Sequence, residues 1–139
     1  MQRTLAIIKP DAVEKGVIGK ILTRIDKEGF VVRAMRMTWL SKREAEGFYA
    51  VHADKPFFDA LTTFMSSGRS LLLALEAPDA IRKWRDVMGA TDPAKAAAGT
   101  LRQAFGDSIE RNATHGSDAP ETAAFELGYF FRGMELVDP

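Results

Sequence analysis

The amino-acid sequence predicts an α+β sandwich, in which an antiparallel β-sheet is covered by helices. Uninterrupted apolar runs at residues 5–8 and 71–75 are typical of buried strands. Between and after these runs, apolar residues recur at the three- and four-residue spacing of helices. The resulting order, β-α-β-(α-α)-β-α-loop-β-α, contains the split βαβ arrangement, for which we expect an antiparallel sheet with its helices on one face.

The first half of the chain supplies two strands and one helix. The run at residues 5–8 is the first strand, and a helical stripe that ends at Gly29 follows it. The apolar residues of that stripe are Val17, Ile18, Ile21, Leu22 and Ile25. Residues 30–40 are predicted to form the second strand, although Arg33 interrupts its alternation of apolar and polar residues. The apolar residues on one side of this strand are Met35, Met37 and Trp39.

The second half begins with a predicted helical hairpin. Ser41 and Glu44 have the spacing of a capping box, and Pro56 suits the first turn of the next helix. The run at residues 71–75 predicts a central strand, and Gly89 ends the helix that comes after it. The apolar stripe of that helix is Ile81, Trp84, Val87 and Met88. Asp118 and Glu121 repeat the capping pattern before the last helix.

Composition excludes several classes of protein. We expect residues 1–139 to form a single domain, since this length is enough to bury a core. Nineteen basic and nineteen acidic residues give a formal net charge of zero. Dedicated nucleic-acid or membrane-surface binders usually carry a basic excess, so this balance argues against both. The chain has no cysteine, which rules out disulfides and thiolate metal sites.

The chain carries no recognisable targeting segment. Its first residues lead into a short apolar strand without the apolar core and small-residue cleavage site of a signal peptide. No apolar run approaches the roughly 20 residues that a membrane helix needs. The sequence therefore predicts a cytoplasmic protein that does not contact a membrane.

Residues 112–118, N-A-T-H-G-S-D, are the strongest candidate for chemistry. The imidazole of His115 is nucleophilic at neutral pH, so it can accept a phosphoryl group and pass it on. Gly116 would let the backbone approach a bulky anionic substrate. The alternative is a polar turn in which His115 merely faces solvent.

Common phosphate-binding loops are missing from the sequence. Residues 16–20, G-V-I-G-K, have two residues between the glycines where a P-loop has four, and Ile21 replaces its Ser or Thr. The two glycines instead favour a turn before the first helix. No G-x-G-x-x-G motif or protein-kinase motif set occurs. Bound phosphates would therefore be held by side chains.

Three cationic residues are candidates for that contact: Lys9, Arg85 and Arg102. The alternative is that all three are solvated surface charges, the usual fate of Lys and Arg. This alternative is weakest for Lys9, because it directly follows an apolar strand, and ligand clefts often lie at the carboxyl ends of strands.

Taken together, these motifs identify a resemblance to the nucleoside diphosphate kinase family over essentially the whole chain. N-x-x-H-G-S-D is that family's active-site motif, and four further segments match in the family's order and spacing. They are residues 3–11 (R-T-L-A-I-I-K-P-D), 47–58, 88–93 (M-G-A-T-D-P) and 99–102 (G-T-L-R). The resemblance implies a ferredoxin-like fold with a four-stranded antiparallel sheet and a helical hairpin inserted between the second and third strands.

The resemblance also implies an activity. Such an enzyme transfers the γ-phosphoryl group of a nucleoside triphosphate to a nucleoside diphosphate by a ping-pong route through phospho-His115. Lys9 would contact phosphate and a sugar hydroxyl, and Arg85 and Arg102 would bind the β- and γ-phosphates. Thr91 would donate its hydroxyl to the phosphates, and Asn112 would hydrogen-bond the ribose.

Further roles follow for the base and for the histidine. The family places Phe57 over the nucleobase, with Ile109 on its other side and Leu61 nearby, which implies broad base tolerance. The residues alone leave open that Phe57 packs in the core. Tyr49 would hydrogen-bond within the site near Lys9. Glu126 would orient His115 directly or through Ser117; the alternative is an exposed helix carboxylate.

We expect Mg²⁺ to be held mainly through the substrate phosphates, with no metal ligand from the protein. The resemblance further implies a homo-oligomer, a hexamer or tetramer. Arg69 and Ala98 stand where many or some family members have Pro, and Ala98 lies in a loop that helps build subunit contacts. Two other classes of protein are the alternatives. A non-catalytic nucleotide-binding domain would lack His115 or a phosphate arginine. A nucleic-acid binder would need aromatic strands and a basic excess.

Overall fold

The computed structural model describes all residues, 1–139, and is built around one antiparallel sheet. Its four strands are β1 Gln2–Ile8, β2 Val31–Trp39, β3 Arg69–Ala77 and β4 Thr114–Gly116. They lie in the order β2-β3-β1-β4, and each neighbouring pair is antiparallel. In this register Ile7 of β1 lies between Leu72 of β3 and His115 of β4. The predicted ferredoxin-like sheet is confirmed, with the run at residues 71–75 in an interior strand.

Seven helices surround the sheet. They are α1 Pro10–Glu14, α2 Ile18–Lys27, α3 Lys42–Phe48, α4 Phe58–Met65, α5 Ala80–Met88, α6 Leu101–Phe105 and α7 Pro120–Phe130. The hairpin α3–α4 lies between β2 and β3, as predicted. Helices α1 and α6 were not predicted, because five residues are too few for a helical period to be recognised in the sequence. None of the seven helices has both the length and the apolar character needed to cross a membrane.

Helices cover both faces of the sheet, so the expectation of a single covered face is wrong. On one face, Ala6 and Ile8 of β1 belong to the core formed with α2 and α5. On the other, Leu5 and Ile7 belong to the core formed with α3, α4 and the end of α7. Because successive residues of a strand point to opposite faces, an uninterrupted apolar strand is the pattern expected when both faces are buried.

The edge strand β2 contains a β-bulge at Arg33, which explains the interrupted alternation in its sequence. Arg33 is buried, and its guanidinium pairs with Glu76 of β3 at 2.7 Å and with Asp138 near the C-terminus at 2.9 Å. Because the extra residue shifts the register, the side chains beyond the bulge change faces. Met35 and Trp39 are consequently 54% and 64% exposed.

Local capping signals were only partly predictive. The Ser41–Glu44 capping box is present, with both reciprocal hydrogen bonds, and it opens α3. The predicted cap at Asp118 and Glu121 is wrong. Pro120 occupies the first position of α7, so the helix starts later, and the hydroxyl of Thr122 accepts hydrogen bonds from the backbone N–H groups of Asp118 and Ala119.

The glycines of residues 16–20 differ in role. Gly16 has a φ of +72° and forms the turn between α1 and α2, as predicted for a glycine there. Gly19 lies inside the first turn of α2 and forms no part of a loop. Residues 16–20 therefore connect two helices and do not form a phosphate-binding loop.

Candidate active site

The motif at residues 112–118 is the centre of the site, because the three predicted phosphate-binding cations are all bonded to it. Lys9 donates to the Oδ1 of Asn112 at 2.9 Å, and Arg102 donates to the carbonyl of Thr114 at 2.9 Å. Arg85 pairs with the carboxylate of Asp118. Three cationic groups, one directly after β1 and the others on α5 and α6, therefore converge on the segment that carries His115.

His115 is held by a carboxylate on the neighbouring helix. Its Nε2 lies 2.9 Å from the Oε1 of Glu126 on α7. The same oxygen accepts a hydrogen bond from the hydroxyl of Ser117 at 2.8 Å, and that hydroxyl accepts one from the backbone N–H of Leu5 at 3.1 Å. Carboxylate oxygens accept hydrogen bonds, so this contact favours the tautomer with the ring proton on Nε2 and the lone pair on Nδ1.

Two aromatic rings pack against the imidazole. The rings of Phe48 and Tyr49 lie edge-on to His115, with centroids 5.4 Å and 6.3 Å away. The side chain of His115 is only 19% exposed and that of Glu126 only 15% exposed. The alternatives of a solvent-facing histidine and of an exposed helix carboxylate are therefore both wrong.

Lys9 is a buried cation, so the solvated-charge alternative fails for it. Its Nζ donates to the carbonyl of Glu110 and to Oδ1 of Asn112, both at 2.9 Å. Burial lowers the pKa of Lys9 to about 8, against an ordinary value of 10.5. The lysine is thus charged at neutral pH, but in an environment where an added anionic partner would stabilise that charge strongly.

Arg102 is also buried and is only partly satisfied. It donates to the carbonyl of Gly89 at 3.1 Å and to that of Thr114, while its buried Nε has no partner. Burial, followed by the nearby charge of Arg85, lowers the pKa of Arg102 to about 10. Arg85 itself is 46% exposed and pairs with Asp118. A buried donor without a partner beside a second guanidinium is the arrangement expected where an anion binds.

Asn112 and Tyr49 both lie in the site, Asn112 bonded to Lys9 and Tyr49 against the ring of His115. Besides accepting from Lys9, the amide of Asn112 donates to the carbonyl of Thr91 at 3.1 Å. Only one of its N–H groups thus remains for a ribose. Tyr49 is buried, and burial raises the pKa of its phenol above the ordinary value. It makes no hydrogen bond to Lys9, so its contact in this state is with the ring of His115.

The predicted base-binding residues differ in exposure. Phe57, just before α4, is 49% exposed, whereas Phe58 packs against the core with Leu61. Ile109 is 61% exposed. Phe57 therefore does not pack in the core, and it is available together with Ile109 to contact a flat ligand. The ring of His52 lies beside that of Phe57, with centroids 5.6 Å apart, and is not part of the group formed by His115, Ser117 and Glu126.

Gly116 also meets a packing requirement that its sequence context did not indicate. A Cβ atom at this position would lie 2.5 Å from Cδ1 of Trp84 and 2.6 Å from Cε of Met88. The close packing of β4 on α5 therefore requires a glycine here. Trp84 also donates its indole N–H to the carbonyl of His115 at 3.0 Å.

Sequence reasoning missed two residues of the site, Trp84 and Asp11. Trp84 was read only as part of an apolar stripe, but its indole N–H fixes the backbone of His115. Asp11 is 3% exposed and accepts a hydrogen bond from the backbone N–H of Ala113. Its signal in the sequence was a lone carboxylate between Pro10 and the apolar Ala12.

The fold and the site define a class of protein: an α+β domain with a carboxylate-oriented histidine next to a cationic pocket, suited to phosphoryl transfer. The family model described as nucleoside diphosphate kinase matches residues 2–136. The nucleoside diphosphate kinases of Syntrophotalea carbinolica and Desulfotalea psychrophila are 64% and 61% identical over 137 residues, 99% of this chain and 100% of each relative.

Solved structures agree with the sequence matches. A crystal structure of the Aquifex aeolicus nucleoside diphosphate kinase has a TM-score of 0.96 at 45% identity and covers 98% of this chain and 99% of that one. The Halobacterium salinarum enzyme, solved in complex with CDP, has a TM-score of 0.95 at 39% identity, covering 99% of this chain and 92% of that one. The chain belongs to the nucleoside diphosphate kinase family and is a nucleotide phosphotransferase, as predicted.

Proposed function

We propose that residues 1–139 act as one catalytic domain that moves the γ-phosphoryl group of a nucleoside triphosphate to a nucleoside diphosphate through phospho-His115. The proposal rests on one observation above all. The Nε2 of His115 is bonded to Glu126, which leaves the lone pair of Nδ1 without a protein partner. A fixed, uncharged imidazole with one free nitrogen is a competent nucleophile at neutral pH.

The reaction proceeds in two half-steps. The Nδ1 lone pair attacks the γ-phosphorus, the bond from that phosphorus to the β-phosphate oxygen breaks, and the nucleoside diphosphate leaves with the bonding electrons. The ring then carries positive charge, which the Glu126 carboxylate stabilises through the Nε2–H bond. In the second half-step a β-phosphate oxygen of another nucleoside diphosphate attacks phospho-His115, and the free histidine is restored.

The phosphates are held by Lys9, Arg85, Arg102 and the hydroxyl of Thr91 in this proposal. The unpartnered Nε of Arg102 supports it, since a phosphate oxygen would satisfy that buried donor. No three acidic or histidine side chains are grouped to hold a metal ion, and the pocket is lined by cations. This donor set fits a nucleotide that brings its own Mg²⁺ on the phosphate oxygens, where the ion neutralises phosphate charge.

The sugar and base occupy the outer part of the site. The remaining amide N–H of Asn112 and the ammonium of Lys9 are the donors for the ribose, and Phe57 and Ile109 cover the two faces of the base, with Leu61 beside Phe57. The exposure of Phe57 and Ile109 supports this arrangement. The Halobacterium salinarum relative was solved with CDP bound, which supports a nucleotide as the ligand.

We also propose that the chain forms a homo-oligomer, a hexamer or a tetramer. The edge strand β2 presents an exposed apolar row beyond its bulge, formed by Met35, Met37 and Trp39. A long apolar edge strand left uncovered would promote aggregation, so a partner surface on this edge is expected.

The activity is tested by steady-state kinetics with Mg-ATP as donor and GDP as acceptor. The proposal predicts GTP formation with parallel double-reciprocal lines, since the first product leaves before the second substrate binds. His115→Ala should abolish turnover, whereas the matched His52→Ala should not. Intersecting lines would mean direct transfer in a ternary complex, and nucleotide binding without turnover would mean a non-catalytic nucleotide-binding domain.

A further inference from the structure

The backbone just before His115 is strained. Ala113 has a φ of +73°, in the left-handed region that residues other than glycine rarely adopt. The N–H of Thr114 donates to the carbonyl of Asn112 at 2.9 Å, so Ala113 is the centre of a three-residue γ-turn of the rare, positive-φ type. This turn separates Asn112 from His115 and determines where both side chains lie.

Residues 9–11 hold this turn from both sides. The backbone N–H of Lys9 donates to the carbonyl of Ala113 at 2.9 Å. The Oδ2 of Asp11 accepts from the N–H of Ala113 at 3.0 Å. The N–H and the carbonyl of Ala113 are thus both bonded to the segment that supplies the phosphate-binding Lys9.

Burial of the Asp11 carboxylate in this position lowers the stability of the fold. Asp11 is 3% exposed, and its second oxygen, Oδ1, is buried without any hydrogen-bond partner. A buried, half-satisfied carboxylate costs stability relative to an apolar side chain of the same size. The only side-chain hydrogen bond of Asp11 goes to Ala113, and its negative charge also opposes the lowering of the pKa of the nearby Lys9 by burial, so this carboxylate supports both the strained turn and the lysine next to it.

We propose that Asp11 is a positioning residue, which holds the strained turn at Ala113 and thereby sets the position of His115 relative to Lys9. This inference rests on the proposed role of His115 as nucleophile. Strained backbone persists only where surrounding groups hold it, and such strain is concentrated at functional sites. Without the carboxylate the turn relaxes, and the imidazole moves away from the line of attack.

A double-mutant cycle between positions 11 and 113 tests the inference. Glycine adopts a positive φ without steric cost, so in Ala113→Gly the turn should form without the hydrogen bond to Asp11. The quantity measured is the rate of phosphoenzyme formation at saturating Mg-ATP, followed by intact mass in the absence of acceptor. Asp11→Ala should lower this rate about tenfold or more, in the range seen when a supporting hydrogen bond is lost. In the Ala113→Gly background the same substitution should change the rate by less than about threefold.

Asp11→Asn keeps the shape and an acceptor oxygen for the Ala113 N–H, so its rate should stay within about threefold of wild type. Should Asp11→Ala fail to fold, the double variant and Asp11→Asn still decide, because both are expected to fold and to be phosphorylated. An Asp11→Ala rate within about twofold of wild type would overturn the inference, as would equal losses in the two backgrounds.

The outcomes separate this inference from the proposed function. A wild-type chain that forms no phosphoenzyme overturns both. A wild-type chain that is phosphorylated on His115 while the cycle shows no coupling overturns the role of Asp11 alone. Melting temperatures of all four variants accompany the rates, because a purely structural role would lower stability without the rescue of rate by Ala113→Gly.

Discussion

His115 and Glu126 are joined through Nε2 and Oε1 at 2.9 Å, eleven positions apart in the chain. The strand β4 supplies the histidine, and α7 supplies the carboxylate, so the pair exists only when the helix packs on the sheet. Ser117 donates to the same oxygen, which fixes the carboxylate as well as the ring. The pair therefore couples the fold to the tautomer on which the proposed chemistry depends.

Glu126→Gln should slow phosphoryl transfer while leaving the fold and nucleotide affinity intact. The amide can still bond to Nε2–H, but it cannot stabilise the positive charge of the phosphorylated ring. We expect a loss of about 10–100-fold in kcat, the size typical of such supporting groups. Stopped-flow or quenched-flow turnover measures it, with the exposed Glu121→Gln on the same helix as control. Unchanged turnover would show that Glu126 does not orient the histidine.

The pH dependence should have a basic limb that belongs to Lys9. Its pKa is lowered to about 8, so the ammonium is present below that pH and is lost as the pH rises through it. Since kcat/KM reports groups of the free enzyme, kcat/KM for ATP should fall above pH 8. Lys9→Arg carries a permanent charge and should remove this limb. A wild-type kcat/KM that stays constant far above that pH would show that the charge of Lys9 is not needed.

Base selectivity should be poor, and phosphate dependence should be strong. Phe57 and Ile109 offer an aromatic face and an aliphatic cover but no hydrogen-bonding edge, and stacking tolerates any base. ATP, GTP, CTP and UTP should serve as donors within about a tenfold range of kcat/KM, equivalent to about 1.4 kcal/mol. Arg102→Ala should weaken all four about equally. A hundredfold preference for one base, or a changed preference in Arg102→Ala, would show that the pocket reads base edges.

Gly116→Ala should destabilise the fold by about 1–3 kcal/mol, the usual cost of overpacking. The new methyl group would enter the space of Trp84 and Met88, and so push β4 away from α5. Gly128→Ala on α7 is the matched control. No atom lies within 4 Å of its added Cβ, and removing a helical glycine should stabilise the chain by roughly 0.5–1 kcal/mol. Urea denaturation of both variants measures the difference, and equal stabilities would contradict the packing argument.

Elements with a strong repeating pattern could be predicted from the sequence. The apolar residues at 71–75 and in the stripe from Ile81 to Met88 are the buried ones, so their pattern indicates the element directly. Both elements formed where they were predicted. The bulge at Arg33 could not be predicted, because it depends on ion pairs with Glu76 and Asp138, which are distant in the chain. The start of α7 was misplaced because Pro120 overrides the capping pattern.

The sequence predicted the contact of Glu126 and Ser117 with His115, but not the contacts of Trp84 and Asp11 with the same segment. His115 and the cationic side chains stand in a distinctive motif pattern, and the fold brings them together. The packing role of Gly116 could not be predicted, since its neighbours Trp84 and Met88 are about 30 residues away in the chain. Asp11 was missed for the same reason, because its bond to Ala113 spans the chain from α1 to the turn before β4.

The phosphoenzyme itself tests the central claim most directly. The chain is mixed with Mg-ATP without acceptor and examined by intact mass and by ³¹P NMR. The account predicts one phosphoryl group per chain, labile in acid and stable in base, with the shift of an Nδ1-phosphohistidine. The label should be absent from His115→Ala and present in His52→Ala. Acid-stable label, label at Nε2, or label that persists in His115→Ala would contradict the account.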